Sequence, residues 1–107
     1  MASALVNVPA QARKGEVIEI KTLISHVMET GYRRTERGTA VPRDLIRQLV
    51  CAYNGVEVFR AELFPGIAAN PYLSFFTTAV ESGELEVSWT DDTGRHEIER
   101  TTVTVQA

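Results

Sequence analysis

Two-residue alternation of apolar and polar side chains is what most narrows the folds open to this chain. In the segment 16–25, Ile18, Ile20 and Ile24 share one parity while Glu19, Lys21 and Ser25 share the other. A helix would scatter these residues around its circumference, whereas a strand gathers the isoleucines on one buried face. Leu85, Val87 and Trp89 alternate in the same way with Glu86, Ser88 and Thr90. Between these segments, 45–53 runs into Asn54-Gly55, a pair suited to the positive φ angles of a tight hairpin, with 56–63 as the return strand. The apolar parity of that return strand switches between Val58 and Phe59, which predicts a bulge or a change of sheet there.

Punctuating residues mark the remaining elements. Leu5-Val6-Asn7-Val8 is a short strand candidate stopped by Pro9, and Lys14-Gly15 supplies the turn into 16–25. A loop marked by Pro65-Gly66 leads to 72–80, where apolar residues occupy both parities, as in a strand covered on two sides. Asp91-Asp92-Thr93-Gly94 then turns the chain into a closing strand that runs to about Val105. About seven short strands with hardly any helical periodicity predict an all-β fold, an immunoglobulin-like antiparallel β-sandwich forming a single domain over 1–107. With one cysteine the Cys-Trp-Cys spacing of antibody domains is absent, so the likeness to them is one of architecture. The one long irregular segment, 28–42, has the length at which a loop in a compact domain is usually functional or mobile.

Composition excludes several classes of function. The net charge of -3, with acids interleaved among the basic residues, argues against a nucleic-acid partner. No run approaches the roughly 20 apolar residues of a membrane helix, and Met1 to Pro9 lacks the basic start and apolar stretch of an export signal. Cys51, the single cysteine, permits no internal disulfide and, taken alone, points to the cytoplasm.

Catalytic and metal chemistry finds little to use. Cys51 sits mid-strand in an apolar run, where a cysteine behaves as a small buried hydrophobe rather than a nucleophile. His26, Met28, His96 and Cys51 are the ligand types of a copper-binding sandwich, yet Cys51 is followed by Ala-Tyr-Asn-Gly with no second ligand nearby. Asp91 and Asp92 fall short of the about six to eight oxygens that calcium takes and read as turn residues. No catalytic residue, metal or cofactor is therefore expected, and Trp89 reads as core. Arg33, Arg34, Arg37 and Arg43 make 29–43 a locally basic stretch, either a solvated loop or a docking surface whose guanidinium groups fix carboxylates or oxyanions.

An ordered set of motifs carries a resemblance. Ser25-His26-Val27-Met28-Glu29-Thr30-Gly31, Arg33-Arg34, Gly38, Val41-Pro42-Arg43, Asn54-Gly55, Asn70-Pro71-Tyr72 and Trp89-Thr90-Asp91-Asp92-Thr93-Gly94 follow one another as in the SoxZ family, which the chain resembles over nearly its whole length. The resemblance implies a non-catalytic subunit of bacterial thiosulfate oxidation. Such a subunit pairs as a heterodimer with SoxY, a sulfur carrier whose Gly-Gly-Cys-Gly-Gly arm holds the substrate, and helps present the loaded arm to other Sox enzymes. It also implies a periplasmic location, reached by co-export with a signal-bearing partner, in place of the cytoplasm. The chain ends Val103-Thr104-Val105-Gln106-Ala107, without such an arm, so it reads as the partner rather than the carrier. Candidate interface residues are His26, Met28, Arg33, Arg34 and Arg43, with Asn70 and Tyr72; motifs of this kind serve equally to set loop geometry. The alternative is a stand-alone ligand- or metal-binding sandwich built on His26, Met28 and His96.

Overall fold

A computed structural model describes residues 4–107; Met1, Ala2 and Ser3, which head the segment read for an export signal, lie outside the described residues. Eight strands follow in order: β1 (Ala4–Asn7), β2 (Gln11–Arg13), β3 (Val17–Ile24), β4 (Ile46–Tyr53), β5 (Val56–Glu62), β6 (Tyr72–Thr78), β7 (Gly83–Asp91) and β8 (His96–Gln106). They form a three-stranded sheet, β1-β3-β6, and a five-stranded sheet, β2-β8-β7-β4-β5. All pairings are antiparallel except that β2 runs parallel to β8. Three residues are too few to show periodicity, so β2 is the strand the sequence pattern does not disclose. Among the described residues no helix is long and apolar enough to cross a membrane.

The alternation seen in the sequence becomes the core. Ile18, Ile20, Thr22 and Ile24 of β3, with Phe75 of β6, face Leu49, Cys51 and Tyr53 of β4, Leu85, Val87 and Trp89 of β7, and Val103 of β8. Phe59 and Phe75 stack at a centroid separation of 4.0 Å, tying the two sheets together by about 1 kcal/mol beyond their burial. Asn54 and Gly55 take φ of 50° and 82°, the left-handed pair that a tight β4–β5 turn requires. The bulge expected near Val58 is present: Cys51 pairs with Phe59 and Ala52 with Glu57, leaving Val58 unopposed.

Two expectations need correction. The segment 28–42 holds no regular strand, but it is not shapeless: isolated antiparallel bridges Glu29–Asp44 and Arg34–Ala40 fold it into an exposed hairpin. Its turn closes through Thr35 N–H to Thr39 O at 2.8 Å and Gly38 N–H to Thr35 O at 2.9 Å. The sequence hid this because neither limb alternates: no apolar core lies beneath them to demand it. Nor is β6 covered on two sides in this chain. Phe75 is buried, but Tyr72 and Phe76 on the opposite face are 56% and 62% exposed.

Candidate functional site

The parity that buries Ile18, Ile20, Thr22 and Ile24 continues past the end of β3 and carries His26 inward. Asn70 then holds its backbone on both sides: the Asn70 N–H donates to His26 O at 2.8 Å, and the His26 N–H donates to Asn70 Oδ1 at 3.0 Å. Asn70 takes φ of 54°, a left-handed conformation that asparagine tolerates better than most residues, immediately before Pro71. Met28 is left-handed too, at φ of 52°, which aims its N–H back at the imidazole; Nδ1 accepts that bond at 3.0 Å.

This contact decides the tautomer. A ring nitrogen that accepts a hydrogen bond carries no proton, so the imidazole proton sits on Nε2. Nε2 faces two carboxylates, Asp91 Oδ2 at 3.3 Å and Asp44 Oδ1 at 3.5 Å. A single N–H cannot serve both, and Asp44 Oδ1 is left buried without a hydrogen-bond partner. The other oxygen of Asp91 accepts from Thr93 N–H, Thr93 Oγ1–H and Arg95 N–H at 3.0, 2.6 and 3.0 Å. Burial pushes the Asp91 carboxyl up, but the bonds from Thr93, Arg95 and His26 outweigh it and hold the group below its ordinary range.

A second set of contacts fixes the far limb of the hairpin. Met28 is buried and its Sδ accepts from Ile46 N–H at 3.3 Å. Arg43 grips Asp92 through Nε and a terminal nitrogen at 2.8 and 2.9 Å, while Leu45 N–H donates to Asp92 Oδ2 at 3.0 Å. The Arg43 guanidinium is the main reason the Asp92 carboxyl lies below its usual range. Gly31, at φ of 91°, lies against Arg43: a Cβ there would stand 3.1 Å from Arg43 Cβ, so both backbone and space call for glycine.

The candidate residues therefore separate. His26, Met28, Arg43 and Asn70 converge at the base of the hairpin and hold it in place. Arg33 lies on the hairpin, paired with Glu29 at 2.6 Å, and Arg34 donates to Gly38 O at 2.8 Å near the turn. Tyr72 stands elsewhere, exposed at the start of β6. Asp44, Asp91 and Asp92, the partners at the base, were not among the candidates. Asp91 had a signal, since it extends the buried parity of Leu85, Val87 and Trp89; Asp44 follows Pro42-Arg43 and had none.

His26, Asp44 and Asp91 have ligand atoms within 4.8 Å of one another, a spacing open to a metal ion. The donor set fits one poorly. With the Met28 amide already directed at Nδ1, coordination at Nε2 would require the imidazole to lose its only proton, whereas a metal-bound histidine normally keeps a proton on its other nitrogen. His96 is not part of this group; it is exposed, with Nδ1 2.9 Å from Thr90 Oγ1. Cys51 is fully buried, and burial raises its thiol to about 11, leaving no thiolate at neutral pH.

Solved structures similar to the sandwich include superoxide reductases and a sulfur carrier. A superoxide reductase (neelaredoxin) from Ignicoccus hospitalis superposes with a TM-score of 0.74 at 17% identity, covering 97% of this chain and 80% of that one. The sulfur carrier protein SoxY from Chlorobium limicola f thiosulfatophilum superposes with a TM-score of 0.69 at 12% identity, covering 97% and 79%. At such identities the likeness is one of fold. No curated protein matches the chain. The family model for the sulphur oxidation protein SoxZ matches residues 6–102, and the chain belongs to that family.

Proposed function

We propose that this chain is the non-catalytic partner of a SoxY-type sulfur carrier, joined to it as a heterodimer and helping to present the carrier's substrate-loaded arm to the enzymes of thiosulfate oxidation. The observation that carries the reading is the use to which the family's most distinctive motif is put. His26, Met28 and Gly31 hold the base of a projecting hairpin, and both imidazole nitrogens of His26 are engaged in contacts within the chain. A rigid sandwich bearing a fixed projection supports docking, while the chemistry belongs to the enzymes that visit. Membership of the SoxZ family supports the same role, and by that resemblance the pair works in the periplasm, exported with the partner's signal.

The test is co-expression with a SoxY-type carrier. A stable complex containing one copy of each chain is expected; no affinity at micromolar concentration removes the reading. The alternative of a metal-binding sandwich was expected on His26, Met28 and His96; the spacing open to a metal is instead that of His26, Asp44 and Asp91, and it has the imidazole tautomer against it. Metal analysis of protein purified without added metal decides it: a stoichiometric ion lost on His26→Gln would restore that alternative.

A further inference from the structure

The two sheets end in four strand edges that are not alike. Among the described residues β1 has four and stops short of Pro9, and β2 has three. β5 is longer, but it is bulged at Val58 and carries Glu57, Arg60 and Glu62. Shortness, bulges and charges are the devices by which soluble proteins blunt a free edge. β6 has none of them. Its sequence, Tyr72-Leu73-Ser74-Phe75-Phe76-Thr77-Thr78, contains no charge and no proline, and it pairs with β3 along its whole length without a break. No other described strand pairs with it.

Its ladder register shows what the free side offers. The Ile24 N–H bond to Pro71 O and the Ala79 N–H bond to Glu16 O mark the hydrogen-bonded positions at its two ends. Antiparallel alternation then turns the amides and carbonyls of Leu73, Phe75 and Thr77 toward β3 and those of Tyr72, Ser74, Phe76 and Thr78 away from it. On the outer face Leu5, Leu23 and Tyr72 are directly opposed across the three strands, an exposed apolar row running to the β6 edge. The apolar residues on both parities of 72–80 anticipate cover that this chain alone does not provide.

We propose that the sheet is continued at this edge by the partner: an edge strand of the SoxY-type carrier pairs along β6. The inference rests on the reading of the preceding section and adds the place and mode of contact. A row of backbone donors and acceptors between uncharged side chains suits a strand rather than a compact ligand or a charged surface. The SoxY structure shares the sandwich fold and so has strand edges of its own to offer.

Residue-resolved amide exchange, in the free chain and in the complex with a SoxY-type carrier, tests it. Leu73, Phe75 and Thr77 should be protected in both states, while Tyr72, Ser74, Phe76 and Thr78 should slow at least about tenfold only in the complex. If the complex forms and those amides do not slow, the edge contact is wrong while the pairing survives. Failure of the complex to form removes the pairing and the edge together. If the amides are already slow in the free chain and quicken on dilution, the occupant is a second copy and the proposal is overturned. Ser74→Pro deletes an outward N–H and no bond to β3, so the chain should still fold and bind the carrier about tenfold more weakly. Unchanged affinity of that folded variant would also sink the proposal.

Discussion

The base and the outer arm of the hairpin are built from similar polar residues but use them in opposite ways. At the base, His26 and Asp91 are buried and their hydrogen bonds are made inside the chain, to Met28, Thr93 and Arg95. Farther out, Tyr32 is 81% exposed, and Arg33, Arg34 and Arg37 lie in solvent over no apolar core. An isolated two-stranded hairpin is marginal in water, so the projection depends on its anchor. The contrast separates two meanings of a distinctive motif. Residues at the base set geometry, and those farther out are left exposed to solvent.

Substitutions that attack the base should have the largest effect on stability. His26→Leu removes the donor between Asp44 and Asp91 and leaves the buried Asp91 carboxylate and the half-buried Asp44 facing each other; a loss of about 3 kcal/mol is expected in denaturant unfolding. A loss below about 1 kcal/mol would mean that the base is not an anchor. Gly31→Ala comes next. It places a Cβ against Arg43 in a left-handed backbone and should cost about 1–2 kcal/mol, with local loss of amide protection in 29–44.

Acid should separate the regions further. Asp91 and Asp92 have folded-state values below the ordinary 3.8, so their ionised forms contribute stability above that pH, and the contribution is lost as pH falls below 3.8 through their folded values. Unfolding measured between neutral pH and pH 2 should show this fall, and Asp91→Asn should flatten it.

The arm should respond in the reverse sense. Arg34→Glu and Arg33→Glu ought to leave stability nearly unchanged, the second losing only an exposed pair with Glu29. Both should weaken carrier pairing or enzyme docking in a binding assay. If neither affinity nor turnover of the complete system changes, these arginines belong to solvent and the contrast reduces to stability alone.

Much of the fold was legible in the sequence, because a buried sheet face imposes a two-residue period and a tight turn imposes its own residues. Ile18, Ile20 and Ile24, then Leu85, Val87 and Trp89, faced inward as their alternation required, and Asn54-Gly55 marked the hairpin. Even the bulge at Val58 was written as a switch of parity. The site was legible only in part. His26, Met28, Asn70 and Arg43 were singled out together with Arg33, Arg34 and Tyr72, but not which of them converge or why, since Asp44 and Asp91 lie far from His26 along the chain and contribute only through contact.

Periodicity and turn chemistry are local, so the sequence by itself determined most of the strands and the core-facing residues. Which strands lie at the edges, that β6 is the unblunted one, and that His26 Nε2 faces two carboxylates distant in sequence were decided only by tertiary structure. Pairing partners and buried polar contacts join residues widely separated in sequence, and no local pattern records which of them will meet.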